Sequence, residues 1–209
     1  MDRLIDKTCA DFAEALASNA PVPGGGGAAA LVGALGMALC SMAGNFTVGK
    51  KKYAAYEADL REILEKAKAL RLRFLELVDR DAEAFEPLSR AYAIPKDDPL
   101  REATLEEATL KACEAPVGMV VSCAEAIELL AKMREMASPL LISDVGCGAY
   151  LCGAAAEAAS LNVYVNTRAL KDREKAAELE ARVKAALDIC IPEAERIAGS
   201  VLAQIKGEA

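Results

Sequence analysis

Apolar residues recur at helical spacing through most of this chain. In residues 4 to 18 they fall at Leu4, Ile5, Ala10, Phe12, Ala13 and Leu16, the one-sided pattern of a short amphipathic helix. Asn19-Ala20-Pro21-Val22-Pro23 ends it, since proline has no backbone N–H to continue the hydrogen-bond ladder. Gly24 to Gly27 predict a flexible turn, followed by a helix of small residues that ends around Asn45-Phe46-Thr47. From Tyr53 to about Tyr92, Leu60, Ile63, Leu64, Ala67, Leu70, Phe74, Leu77 and Val78 repeat every three or four positions. That is one long amphipathic helix or two in sequence, kinked or ended at Pro87.

Ile94-Pro95-Lys96-Asp97-Asp98-Pro99 reads as a connector. A second long helix is expected from about Pro99 to Arg134, bent at Pro116 and broken by Ser138-Pro139. A polar, glycine-rich knot, Ser143-Asp144-Val145-Gly146-Cys147-Gly148, precedes an alanine-rich helix to about Asn166. Residues from Lys171 onward read as a final helix pair split near Pro192, and no strand-like alternation runs longer than Asn162 to Asn166.

Composition strengthens the helical reading. About one residue in five is alanine, the best helix former, and aromatic residues are only 4%. The pattern predicts an all-α fold, a single domain over residues 1–209, with long antiparallel helices around a small-residue central helix. Such a flat, small-residue helix is hard to cover inside one bundle, so a homodimer or higher homo-oligomer is expected. The stretch without formal charge between Glu14 and Lys50 is long enough to span a bilayer. Pro21, Pro23 and four glycines interrupt its first part, and alanine and glycine transfer weakly into lipid, so a buried helix explains it better than a membrane span.

Net charge is −7 with no histidine. Absence of imidazole excludes Ser-His-Asp and Cys-His couples and histidine-held zinc or haem. Proton transfer would fall to Asp, Glu, Lys, Tyr or Cys. The acidic balance, with basic residues interleaved among acids, argues against nucleic-acid binding. Seven cysteines, an odd number with no C-x-x-C spacing, read as free thiols of a reducing cytoplasm and predict no metal cluster. The first residues carry no apolar signal-peptide core.

Several residues could carry chemistry. In Pro21-Val22-Pro23-Gly24-Gly25-Gly26-Gly27 the glycines let backbone amides approach a ligand at a helix start, or simply make a tight turn. The Lys-Ser/Thr ending of a Walker loop is missing. Lys50-Lys51-Lys52 could recruit an anionic tail, or be a solvated helix start. Asp144 stands among apolar and glycine residues, a setting that prepares a carboxyl for acid–base work, although Ser143 or Asp144 would also serve as a helix cap. Asp81 falls seven residues after Phe74 and four before Phe85, on the apolar side of its helix, whereas Asp79 points elsewhere. Asn45, Thr47, Asn162 and Asn166 end apolar runs; each alone fits a cap, and together they suit a heteroaromatic substrate rich in donors and acceptors.

Pro21 to Gly36, Asn45-Phe-Thr-Val-Gly-Lys-Lys-Lys-Tyr53, Asp81-Ala-Glu-Ala-Phe85, Ser143-Asp144 and Asn162-Val-Tyr-Val-Asn166 resemble the cyclodeaminase/cyclohydrolase family of folate enzymes. The likeness runs in order along nearly the whole chain. Family members often carry Ser where Gly27 stands here, and the length leaves no room for the transferase half of the bifunctional members. The resemblance implies an all-α, dimer-forming fold, no metal or permanently bound cofactor, and a reduced folate, polyglutamylated forms included, bound near the subunit interface.

It implies cyclisation of 5-formimidoyltetrahydrofolate to 5,10-methenyltetrahydrofolate with loss of ammonia. The alternatives are a methenyltetrahydrofolate cyclohydrolase, adding water to give 10-formyltetrahydrofolate, and a non-catalytic helical assembly protein. On the cyclodeaminase reading Asp144 and Asp81 take the carboxylate roles and Lys51 is the acid. Lys50 and Lys52 hold the glutamate tail, and Pro23, Gly24, Gly25, Gly26, Asn45, Thr47, Ser143, Asn162 and Asn166 line the substrate.

Overall fold

The computed structural model describes residues 3–208 and, among them, holds six α-helices and no strand. They are α1 (Cys9–Ala17), α2 (Gly25–Asn45), α3 (Glu57–Ala93), α4 (Arg101–Met136), α5 (Ile142–Ala169) and α6 (Arg173–Lys206), with short 3-10 turns at Leu4–Asp6, Lys51–Tyr56 and Pro139–Leu141. Helix α4 packs against α2, α3, α5 and α6; α2 lies between α3 and α5, and α5 between α2 and α6. The core meets on α4, where Met119, Ile127, Leu130 and Met133 are fully buried together with Phe74, Met37 and Ile197.

Small residues let α2 approach its neighbours closely. A Cβ at Gly33 would fall 2.7 Å from the Phe74 ring, and one at Gly36 would collide with the Cys152 sulfur. The same contacts fix direction. Gly26 faces Asp81 and Gly44 faces Leu64, so α3 runs antiparallel to α2. Gly25 faces Asn162 and Gly36 faces Gly148, so α5 does too.

Three local expectations are corrected. Gly25, Gly26 and Gly27 are not a flexible turn; they form the first turn of α2, with Gly24 as its extended N-cap. The Ser143–Gly148 knot is helical and opens α5, which runs on past Asn166 as its alanine-rich sequence predicts. Pro87 and Pro192 end nothing: each sits inside one continuous helix. Packing beyond the proline explains this, because Leu88 and Ala91 close on Ala108 and Ala112, while Ala194, Ile197 and Val201 join the main core. The buried contacts offset the lost backbone bond, which costs about 3 kcal/mol in isolation.

Two stretches, Gly25–Asn45 and Pro139–Ala169, are long and apolar enough to cross a membrane, and half or more of each apolar window is buried inside the bundle. Their outer sides are not covered. Leu35 and Met42 on α2, Phe46 just past its end, and Tyr150, Leu161 and Val165 on α5 are exposed. No formal charge lies on α2, or on α5 between Asp144 and Glu157, so α2 and the first half of α5 present one apolar face, with Glu157 exposed one turn before Leu161.

Candidate functional site

The glycine start of α2 cannot cap itself. Gly24 has no side chain for the free first-turn amides, and a carboxylate from α3 lies there instead. A Cβ on Gly26 would fall 2.5–2.7 Å from the Asp81 carboxylate atoms, so only glycine admits this approach. Burial pushes the Asp81 carboxyl above its ordinary value, and the Gly27 N–H pulls it the other way.

Around this contact is a cavity of about 220 Å³, lined by Pro21, Val22, Gly24, Gly25 and Gly26, by Asp81, Phe85 and Leu88 of α3, by Ala112 and Pro116 of α4, and by Asn162, Val165 and Asn166 of α5. No Lys or Arg lines it. Pro23, expected to line the substrate, is buried and packs towards Gly27, outside the cavity lining. Asp79, two residues before Asp81 and on another side of α3, accepts the Leu4 N–H at 2.7 Å and the Arg3 Nε–H at 3.1 Å. That pins the N-terminal turn to α3.

Pro116, Phe85, Leu88 and Val165 were not singled out as site residues by sequence reasoning. Pro116 carried a readable signal: a proline inside a helix frees the carbonyl four positions back. That carbonyl, on Ala112, accepts from Asn166 Nδ2 at 3.1 Å.

The other anticipated residues gather at the opposite end of α2. Asn45 lines a separate groove of about 500 Å³ with Ser41, Val48, Arg61, Leu64, Glu65, Lys68 and Arg71. Lys50, Lys51 and Lys52 are exposed at the turn that follows, with Lys52 Nζ 5.5 Å from the Tyr53 ring centroid. Ser143 is exposed and Asp144 half-buried in the first turn of α5. Thr47, expected to touch substrate, is fully buried. Its hydroxyl donates to the Ala43 carbonyl at 2.7 Å and accepts the Ser138 N–H at 2.9 Å, tying the end of α2 to the α4–α5 link.

The two groups do not meet within one chain. At about 1.5 Å of rise per residue, the run of α5 from Asp144 to Asn162 is roughly 27 Å long. A still larger groove, about 570 Å³ between α3, α4 and α6, has charges that answer one another in the ion pairs Arg73–Glu125 and Arg80–Glu76, as on a solvated face. Among the described residues no cluster of three or more metal-ligating side chains converges.

Known proteins share this fold. A crystal structure of formiminotetrahydrofolate cyclodeaminase from Thermotoga maritima superposes with a TM-score of 0.83 and 28% identity, covering 94% of this chain and 98% of that one. Methenyltetrahydrofolate cyclohydrolase of Methylorubrum extorquens is 42% identical over 177 residues, 83% of this chain and 85% of the relative. Formimidoyltransferase-cyclodeaminase of Sus scrofa is 28% identical over 188 residues, and the match spans only 35% of that protein. The family described as formiminotransferase-cyclodeaminase matches residues 8–185. A match over that much of the sequence, in a bundle of the same architecture, means that the chain belongs to this family.

Proposed function

We propose that the chain hydrolyses 5,10-methenyltetrahydrofolate to 10-formyltetrahydrofolate, in sites that each draw on two subunits. The preference over ring closure rests on the 42% identity to the Methylorubrum cyclohydrolase across most of both chains. Ring closure of 5-formimidoyltetrahydrofolate with loss of ammonia is the second reading, supported by the full-length likeness to the Thermotoga cyclodeaminase. Both reactions pass through a tetrahedral carbon between N5 and N10, so one pocket serves either.

In the hydrolysis, water oxygen bonds to the cationic methenyl carbon and a base takes its proton. The resulting hydroxyl then gives up its remaining proton to solvent and becomes the formyl C=O, the electron pair of the C–N5 bond goes to N5, and the formyl group stays on N10. Asp144 is the base in this reading and its charge favours the cationic carbon; Lys51 returns a proton as N5 leaves. Lys50 and Lys52 hold glutamate carboxylates.

The observation that carries the dimeric site is the split of candidate groups to the two ends of α2 with the charge-free apolar face of α2 between them. A two-fold axis through the middle of that face, near Leu35, lays α2 antiparallel on its copy. The Asp81 cavity of one subunit then meets the Lys51–Asp144 end of the other, twice over. Seven free cysteines support a reducing, cytoplasmic setting.

Purified protein given each folate separately tests the reaction. Loss of methenyl absorbance faster than the buffer control supports hydrolysis, and appearance of methenyl absorbance with ammonia from the formimidoyl compound supports ring closure. No change with either leaves the non-catalytic assembly protein.

A further inference from the structure

We infer that the cavity at the start of α2 seats the 2-amino-4-oxopyrimidine edge of the folate ring, and that Asp81 recognises this edge instead of moving protons. The inference rests on the folate reading above and revises the catalytic role that the sequence suggests for Asp81.

The cavity's side-chain polar groups are richer in acceptors than in donors: two Asp81 oxygens and the Oδ1 atoms of Asn162 and Asn166, against one remaining Nδ2 hydrogen on each Asn. Asn162 Nδ2 donates to the Ala158 carbonyl at 3.0 Å, and Asn166 Nδ2 donates to the Ala112 carbonyl at 3.1 Å. A carbonyl can accept only from the amide nitrogen, so both orientations are fixed by chemistry. Each leaves its Oδ1 free to accept, and no side-chain polar atom is buried without a partner among the described residues. These oxygens are therefore reached from the cavity or solvent. Pro116 is part of the device, because it frees the carbonyl that holds Asn166.

With the Asp81 carboxylate added and no cation in the lining, the site asks for a ligand edge rich in N–H donors. It disfavours carboxylate or phosphate. The pyrimidine edge of a pterin presents N3–H beside the exocyclic amine, the donor pair that a carboxylate takes in bidentate fashion. Phe85 and Pro116 supply apolar surface for a flat ring.

Size points the same way. At about 220 Å³ the cavity is below the roughly 300–1,000 Å³ that enclose a drug-sized ligand, so a bicyclic ring enters and the remainder of a folate stays outside. Its anionic tail must leave the Asp81 end, towards the lysines contributed by the other subunit.

The test measures inhibition constants of 6-methyltetrahydropterin and its 2-desamino counterpart, together with kcat and KM for the folate that the protein turns over. Wild type is expected to bind the amino compound about 10- to 100-fold more tightly, the range of hydrogen bonds to a charged group. In Asp81→Asn that discrimination falls towards unity and KM rises by a similar factor, while kcat changes less than about threefold. Asn166→Ala, which leaves Asp81 in place, is expected to raise KM several-fold with kcat kept, and it decides the matter if Asp81→Asn does not fold. A wild type indifferent to the 2-amino group overturns the proposal, as does a variant whose kcat collapses at unchanged KM. A wild type that turns over neither folate sinks the folate reading itself, a different failure.

Discussion

Asp81 shows how one residue can be legible in part. Its place on the apolar side of α3 follows from its spacing to Phe74 and Phe85, because helical periodicity fixes which positions share a face. Its contact with Gly26 depends on where α2 docks, which no local pattern encodes. Burial holds the Asp81 carboxyl above its ordinary value, and the sign of the consequence is definite. A raised native value gives stability that is full below the unfolded pKa of about 3.9 and is lost as pH rises through the native value. Asp81→Asn, which cannot ionise, is therefore expected to match wild type in acid and to be at least as stable at neutral pH. Thermal melts across pH 3 to 8 check this, and a variant clearly less stable at neutral pH contradicts it.

Neighbouring glycines sharpen the point. Gly26→Ala drives a methyl into the Asp81 carboxylate, whereas a Cβ at Gly27 meets Pro23 at an ordinary 3.4 Å. Gly26→Ala is expected to raise KM at least tenfold. Gly27→Ala leaves it nearly unchanged and adds up to about 1 kcal/mol of helix stability. Equal effects of the two on KM would contradict the geometry. Thr47 shows the opposite limit of sequence reading. A polar residue at the end of an apolar run can be a ligand contact or a structural pin, and only the distant Ser138 N–H decides for the pin.

At the scale of elements, the long helices were legible because their apolar positions recur at helical spacing, and errors cluster at glycine and proline. Local rules treat both as breakers. Here Gly25–Gly27 are helical because α2 needs a slim start beneath Asp81, and Pro87, Pro116 and Pro192 stay helical because buried residues follow each of them. The close approach of α2 has a measurable cost when disturbed. Phe74 is fully buried, so a methyl at Gly33 has no room to displace its ring. Gly33→Ala is expected to lose about 1–3 kcal/mol to overpacking despite the better helix propensity of alanine. Urea unfolding measures the loss, and a stabilised variant would contradict the packing described.

At the scale of the molecule, the sequence offered a composition-level hint of assembly and no map of it. The two clusters of candidate groups look unrelated along the chain, and only the antiparallel run of α2, α3 and α5 shows that they occupy opposite ends. The apolar face between them, with Leu35 51% and Val165 71% exposed, is the surface that a second copy would cover. Leu35→Glu should put like charges across the two-fold axis, giving monomers by sedimentation and loss of turnover with the helical signal retained. A dimer undisturbed by that change would place the interface elsewhere.

The central claim, that each site takes Asp81 from one subunit and Asp144 from the other, is tested most directly by complementation. Asp81→Asn and Asp144→Asn, each depressed in turnover at low substrate as homodimers, are unfolded together, refolded as an equal mixture and assayed. Random pairing leaves half the dimers mixed, each with one intact site and one doubly altered site, so turnover is expected to recover to about a quarter of wild type. A mixture no more active than the average of its two components would contradict a shared site.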